Sequence, residues 1–329
     1  MSTPPAGTTQ KRLFSRNDYL APLPIPTGEK PCDVLNTIWR KNDVFVDIGN
    51  YSIASAVMTI WPGVMVFLAM SYFTRNLNSD FSQDILMWGL VIMALPVFFL
   101  IQGLFREVPL PVRFNRQRRE VCVPRGDDEY WIVPWESVTA AATQHSSVSQ
   151  AGRTTMGLLI IGFENPDPQA KDDNKHFSFG FNCGGGTTAM ALWECIRSYM
   201  EIGPQAVPDS RVGIPLYEET QIGSIITDLR KGDLIMVVWG IFCITMLGTY
   251  LAEKLQNLKL SHPPELPYPD IIEWSKPLPP NNGPSAPQNW KPPSPNVKPN
   301  WPYRRLKRQR TGHEHATGRH HSKTVVFAQ

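Results

Sequence analysis

Several groups of residues in this chain carry side chains or turns capable of chemistry. Gly184-Gly185-Gly186 precedes a helical pattern, and a glycine turn at a helix start can hold an anion on free backbone N–H groups. No Gly-Lys-Thr/Ser follows, so the spacing is not that of a nucleotide loop, and a strand-to-helix turn explains it. His145 beside Ser146 and Ser147 pairs a base with hydroxyls. Neither a G-x-S-x-G elbow nor a matched acid accompanies them, so they read as a polar loop. Cys32, Cys122, Cys183, Cys195 and Cys243 show no C-x-x-C pair, which argues against a disulfide framework or a zinc site. His313, His315, His320 and His321 form a His-rich tract. Such a tract can bind metal, but it lacks acidic or cysteine ligands at regular spacing and reads as adventitious. No catalytic residue, metal site or cofactor is expected.

Two groups point to binding instead. Arg113, Arg116, Arg118 and Arg119 crowd one short stretch. They read first as a membrane-proximal flank, and second as a lipid or partner contact worth about 1 kcal/mol per cation at an anionic surface. Trp274, Trp290 and Trp301 punctuate a stretch from Ser261 to Tyr303 that is dense in Pro and Asn. That composition favours an extended, solvated spacer. The tryptophans are the candidate anchors for a docking partner, since Trp is enriched at binding hot spots.

The elements that must position these residues start with three charge-free stretches: Ile48–Thr74, Ile85–Phe105 and Leu234–Ala252. A bilayer core takes about 20 apolar residues of helix, and a mid-membrane charge costs about 2.5–3.5 kcal/mol on insertion scales. The chain is therefore expected to be an integral membrane protein. Trp61-Pro62-Gly63 and Pro96 predict kinks rather than breaks, because neighbouring helices can satisfy freed backbone groups. Without ionisable groups inside the spans, transport is disfavoured.

Short-loop cations orient such spans. Lys30, Arg40 and Lys41 precede the first stretch, and Arg106, Arg113, Arg116, Arg118 and Arg119 follow the second. The amino terminus and the segment after the second span are thus expected to be cytoplasmic, with the first two spans forming a hairpin. Arg230 and Lys231 precede the third stretch on the same side. If it crosses, the chain from Glu253 onward is periplasmic. The basic run Arg304, Arg305, Lys307, Arg308 and Arg310 lies beyond the roughly 15–20 residues over which cations act on orientation. Without aromatic-basic interleaving, no nucleic acid is expected as a partner.

Between the second and third stretches the pattern predicts strands at 112–114, 120–123, 130–133, 135–142, 156–163 and 176–181. The last carries Phe177, Phe179 and Phe181 on one face. Residues 146–153 read as an exposed excursion. A helix follows the glycines, with Thr187 or Thr188 as its N-cap. Its stripe of Ala189, Leu192, Trp193, Ile196, Tyr199 and Met200 is wide enough to plug a small barrel. Residues 222–229 form a short amphipathic segment expected to pack on that domain. No cleavable signal peptide is expected at the start.

Two membrane helices, a basic strand hairpin and a strand carrying a W-x-x-V/I pattern resemble membrane-tethered bacterial pleckstrin-homology (PH)-like domains. More closely, Pro111-Val112-Arg113-Phe114-Asn115-Arg116-Gln117-Arg118-Arg119-Glu120-Val121 and Pro134-Trp135-Glu136 resemble an uncharacterised family of proteobacterial inner-membrane proteins. Its members often occur near type VI secretion genes. The resemblance covers roughly residues 35–255 and brings no catalytic residues; the third stretch and long tail depart from a two-span pattern.

The expected architecture is an α+β membrane protein. Residues 1–47 form a cytoplasmic segment, 48–105 a transmembrane hairpin, and 106–203 a PH-like antiparallel β domain closed by one helix. Residues 204–233 are a connector, 234–252 a third transmembrane helix, and 253–329 a disordered tail, first Pro-rich and then basic and His-rich. The resemblance implies a non-enzymatic bacterial inner-membrane protein acting as a type VI secretion-associated immunity or accessory protein. Its partners would be the lipid bilayer and a protein, such as a secreted toxin or secretion component. The alternative is a membrane-anchored adaptor or anionic-lipid-binding scaffold unrelated to secretion. Oligomeric state stays open.

Overall fold

A computed structural model describes residues 4–279 apart from 34, 127–128, 150–151, 172–173 and 214–215. The soluble part is built on ten strands in two five-stranded antiparallel sheets. Four strands come from the amino-terminal segment: β1 (Thr9–Lys11), β2 (Ser15–Ala21), β3 (Ile38–Lys41) and β4 (Phe45–Ile48). The others are β5 (Val112–Asn115), β6 (Glu120–Gly126), β7 (Glu129–Pro134), β8 (Thr139–Ser149), β9 (Gly152–Glu164) and β10 (His176–Asn182). One sheet runs β1-β2-β8-β9-β10 and the other β3-β4-β5-β6-β7.

The expected boundary at residue 47 is therefore corrected. Residues 9–48 complete both sheets, and β4 pairs directly with β5, Ile48 opposite Val112. The reason is visible in Val44, Val46 and Ile48, which bury their side chains in the common core. The apolar helical hairpin is consequently an insertion between two neighbouring strands. The expected excursion at 146–153 is also corrected, because β8 and β9 pair continuously out to Ser149 opposite Gly152.

Helix α1 (Ile53–Thr74) and helix α2 (Ser79–Phe105) are long and apolar enough to cross a membrane. Pro62 and Pro96 sit inside them without ending either helix. Asn78 caps α2 by accepting from the Asp80 and Phe81 N–H groups. The Ser71 and Ser82 side chains join the helices near the turn, their oxygens 2.8 Å apart. Gly89 allows close approach, since a Cβ there would collide with the ring of Phe67.

Helix α3 (Gly186–Glu201) begins at Gly185 with no side-chain cap, so the expected threonine cap is corrected. The glycines serve close packing. A Cβ on Gly157 would strike the Gly185 backbone, and one on Gly186 would strike Gln144. The expected stripe is fully buried, and Trp193 stacks on Trp135 at 5.6 Å. The other side of α3 is covered too. The Thr27 N–H and hydroxyl both donate to Glu194 at 3.1 Å, and Glu194 also pairs with Arg197.

The third apolar stretch is not a single straight helix. Helix α4 (Gln221–Arg230) packs against helix α5 (Leu234–Phe242), rather than lying on the β domain as expected. A π-helical turn over Cys243–Leu247 follows, and after Gly248 the chain bends by 69° into helix α6 (Thr249–Lys259). Gly248 takes φ +67, and the Trp61 ring occupies the place of its missing Cβ. The Trp61 indole donates to the Thr245 carbonyl at 2.8 Å. Helix α6 then runs back along α1, and Gln256 donates to the Tyr51 carbonyl at 2.5 Å.

Both ends of this unit meet on the domain. Gly213 touches the Leu260–Ser261 backbone, and Trp39, Val212 and Leu260 form one buried cluster. The expectation that the chain from Glu253 onward sits across the membrane from the domain is therefore corrected for the described residues. Residues 260–279 return to the domain and include helix α7 (Pro269–Trp274). The stretch is held rather than extended as a spacer, because its apolar side chains find a sheet face to cover. Trp290, Trp301, the basic run and the four tail histidines lie outside the described residues.

Candidate functional site

Strand β6 reads Val-Cys-Val at 121–123, and β7 reads Tyr-Trp-Ile-Val at 130–133. Alternate side chains of a strand face opposite ways, so runs apolar at every position need cover on both faces. Val121, Val123, Trp131 and Val133 enter the main core. Cys122, Tyr130 and Ile132 point the other way and are covered by Leu266, Tyr268, Ile271 and Trp274 from the returning chain. Tyr130 and Tyr268 rings lie 4.7 Å apart.

Polar groups fix this segment at its main chain. Arg40 donates to the carbonyls of Pro263 and Pro264, the latter at 2.9 Å. The Trp274 carbonyl accepts from the Asn115 amide at 3.0 Å and from Arg118 Nε at 2.9 Å. The Trp274 indole donates to Glu120 at 2.7 Å. Arg113 donates to the Ser275 hydroxyl at 2.9 Å, and the Leu278 N–H donates to Gln117 at 2.8 Å. The face therefore holds residues 263–278 of the same chain, by their polar groups and by four apolar anchors.

Of the four sequence-predicted arginines, Arg113 and Arg118 meet Trp274–Ser275, whereas Arg116 and Arg119 turn to the end of α3. Arg113 is buried and grips Asp47 bidentately at 2.6 and 2.7 Å. It also lies 3.8 Å from the centre of the Phe45 ring. Arg116 donates to the Ile202 carbonyl at 3.1 Å, at the carboxyl end of α3. Arg119 bridges Glu136 and Glu201 at 2.5 and 3.0 Å. Burial works against its charge, but those two carboxylates outweigh it and hold the guanidinium above its usual range. Glu201 also accepts from the Trp135 indole at 2.7 Å. These contacts use all four guanidiniums inside the fold.

No protein-family model, curated protein or solved structure matches this chain. The site is therefore read from its own chemistry. Sequence reasoning missed Asp47, Arg40 and the anchors Leu266, Tyr268 and Ile271. The doubly apolar strands were the signal that something covers the outer face. Cys122 lies beneath the cover, and burial pushes its thiol up to about 12, the neighbouring Arg113 opposing only in part. Among the described residues, no group of three or more His, Cys, Asp or Glu side chains could hold a metal.

Proposed function

We propose that this chain is a non-enzymatic, multi-pass protein of the bacterial inner membrane that binds a protein partner through its β domain. The observation that carries the reading is the peptide-recognition face of the second sheet, which takes main-chain carbonyls and apolar anchors at once. The resemblance to the secretion-associated family makes the role an immunity or accessory one, with a delivered toxin or secretion component as the partner.

The order of elements supports a PH-like domain as its core. From β4 onward come a four-strand meander, a three-strand meander and then one helix. The extra strands β1–β3 and the inserted membrane hairpin are additions to that plan. The lipid-scaffold reading has less support, since Arg113, Arg116, Arg118 and Arg119 are already engaged within the fold. The test is co-expression of the full chain with the product of a neighbouring toxin gene. Rescue of growth together with a co-purifying complex is the expected result. Absence of both would remove the immunity reading.

The placement proposed is two crossings, α1 and α2, with α4–α6 entering and leaving on one side. The contact of Gly213 with Leu260 supports it, and the cations at the base of the hairpin favour the cytoplasm for that side. Cys32 is exposed while the other cysteines are buried, so a Cys32→Ser background suffices for labelling. Cysteines placed at Asp167 and Asn289 should both resist an impermeant thiol reagent in spheroplasts and both react after lysis. Labelling at 289 alone before lysis would refute the shared side.

A further inference from the structure

Two hollows meet at Asn50-Tyr51-Ser52, where β4 passes into α1. The first encloses about 650 Å³ and has a mixed lining, with Asn50, Asn182, Arg211, Glu253 and Asn257 beside Met58, Leu158 and Leu260 on its walls. The second encloses about 500 Å³ and runs along the lower part of the membrane hairpin. Its walls are Ile53, Ala56, Ile60, Pro96, Phe99 and Leu100, and its mouth carries Arg106 and Glu107. Leu95 and Phe98, next in sequence to the wall residues Pro96 and Phe99, are exposed apolar side chains of α2. A chamber of mixed lining therefore adjoins an apolar trough at Asn50–Ser52, where the chain enters α1.

At the meeting point the Asn50 amide donates to the Gly180 carbonyl at 2.6 Å, and Gln256 spans the Tyr51 carbonyl and the Ala54 N–H, which leaves one group without a partner. The Tyr51 hydroxyl is buried without a hydrogen bond. Ser52 precedes α1 but does not cap it, its hydroxyl instead lying 3.0 Å from that of Ser55. The first turn of a helix presents free N–H groups and a positive dipole end, which favour an anion. Cations gather nearby: Arg106 at the trough, Arg211 in the chamber, and the Lys259 ammonium 3.1 Å from the Arg106 carbonyl. Glu107 and Glu253 oppose them, and Glu253 is engaged by the Gln221 N–H at 2.7 Å.

We propose that the two hollows form a binding site for one glycerophospholipid of the surrounding bilayer, its phosphate at Asn50–Ser52 and one acyl chain along the α1–α2 trough. The trough's apolar walls, on two helices long and apolar enough to cross a membrane, select a bilayer lipid over a soluble phosphate ester. The site is separate from the peptide-recognition face and stands whether or not a protein partner is found.

The test uses the full chain, purified in detergent after exposure to nanodiscs of phosphatidylethanolamine, phosphatidylglycerol or uncharged diacylglycerol in a neutral carrier lipid. Native mass spectrometry then counts retained lipid. Gly103→Phe places a ring in the trough, since a Cβ there has only Ile53 near it, at 3.8 Å. Ala56→Phe blocks it from the other helix and serves if the first variant does not fold. Wild type should keep one phospholipid per chain through washing. The plugged variant should lose at least ten-fold in retention with its unfolding midpoint unchanged, and Tyr51→Phe should lose a few-fold. Retention of either phospholipid supports the site, and the preferred one names the headgroup. No retained phospholipid, equal retention by the plugged variants, or equal retention of diacylglycerol would overturn it.

Discussion

The outer face of the second sheet and the junction with the membrane hairpin carry similar inventories of polar side chains, and they are used in opposite ways. On the sheet, Arg40, Arg113, Asn115 and Arg118 each reach a carbonyl or hydroxyl of the returning chain. At the junction, Tyr51 buries a hydroxyl that reaches nothing and Ser52 leaves α1 uncapped. A buried polar group without a partner costs about 1–3 kcal/mol. The sheet face has removed that cost by holding its own ligand in cis. The junction still bears it at Tyr51, which is the physical reason to look for a lipid ligand there.

The comparison breaks most severely at Asp47. Its carboxylate is fully buried, grips Arg113 with both oxygens and lies 3.5 Å from Arg40. Asp47→Ala would leave a buried guanidinium without a counter-charge, which costs about 3–5 kcal/mol. The same change would loosen both arginines that hold the returning chain. Chemical unfolding of the full chain in detergent should show the loss, and a change below about 1 kcal/mol would show that water or another acid replaces Asp47. Arg116→Ala, whose guanidinium meets only a carbonyl at the end of α3, is the matched control.

Much of the central domain was legible because its signals are local. The strands from 112 to 181 and the stripe of α3 follow from alternation, turn residues and a 3.6-residue period. The hairpin followed from apolar length alone. What was hidden depends on contacts distant in sequence. Nothing local in Phe45–Ile48 announces that it pairs with Val112–Asn115 across an inserted hairpin. Leu266, Tyr268, Ile271 and Trp274 sit among prolines that read as a spacer, and only the sheet face beneath them makes them anchors. The shape of the third stretch was hidden for a different reason. Its composition suits a crossing helix and does not show the 69° bend after Gly248, which adopts a left-handed turn against Trp61. Of the site, the arginines and Trp274 were visible as residues, whereas their meeting was not.

A smaller change sharpens the same comparison through Cys122. Burial under Leu266 and Tyr268 pushes its thiol up to about 12. At pH 8 the thiolate fraction is then about 10⁻⁴, against about a quarter for a free thiol, and thiolate is the reactive form. Trp274→Ala removes an indole that is partly buried and bonded to Glu120. Losing that burial should cost about 2 kcal/mol of local docking, felt as opening of the returning chain rather than of the sheets. That energy corresponds to about a thirty-fold rise in the labelling rate of Cys122, read by peptide mass spectrometry. Exposed Cys32 gives the reference rate, and Cys183 and Cys195, buried in the main core, should stay unlabelled. An unchanged Cys122 rate would mean that the thiol is shielded by the sheet itself and that the returning chain is not its cover. Labelling of Cys183 together with Cys122 would mean that the chain and the sheets open as one unit, and the peptide-recognition face could not then exchange its occupant without unfolding the domain.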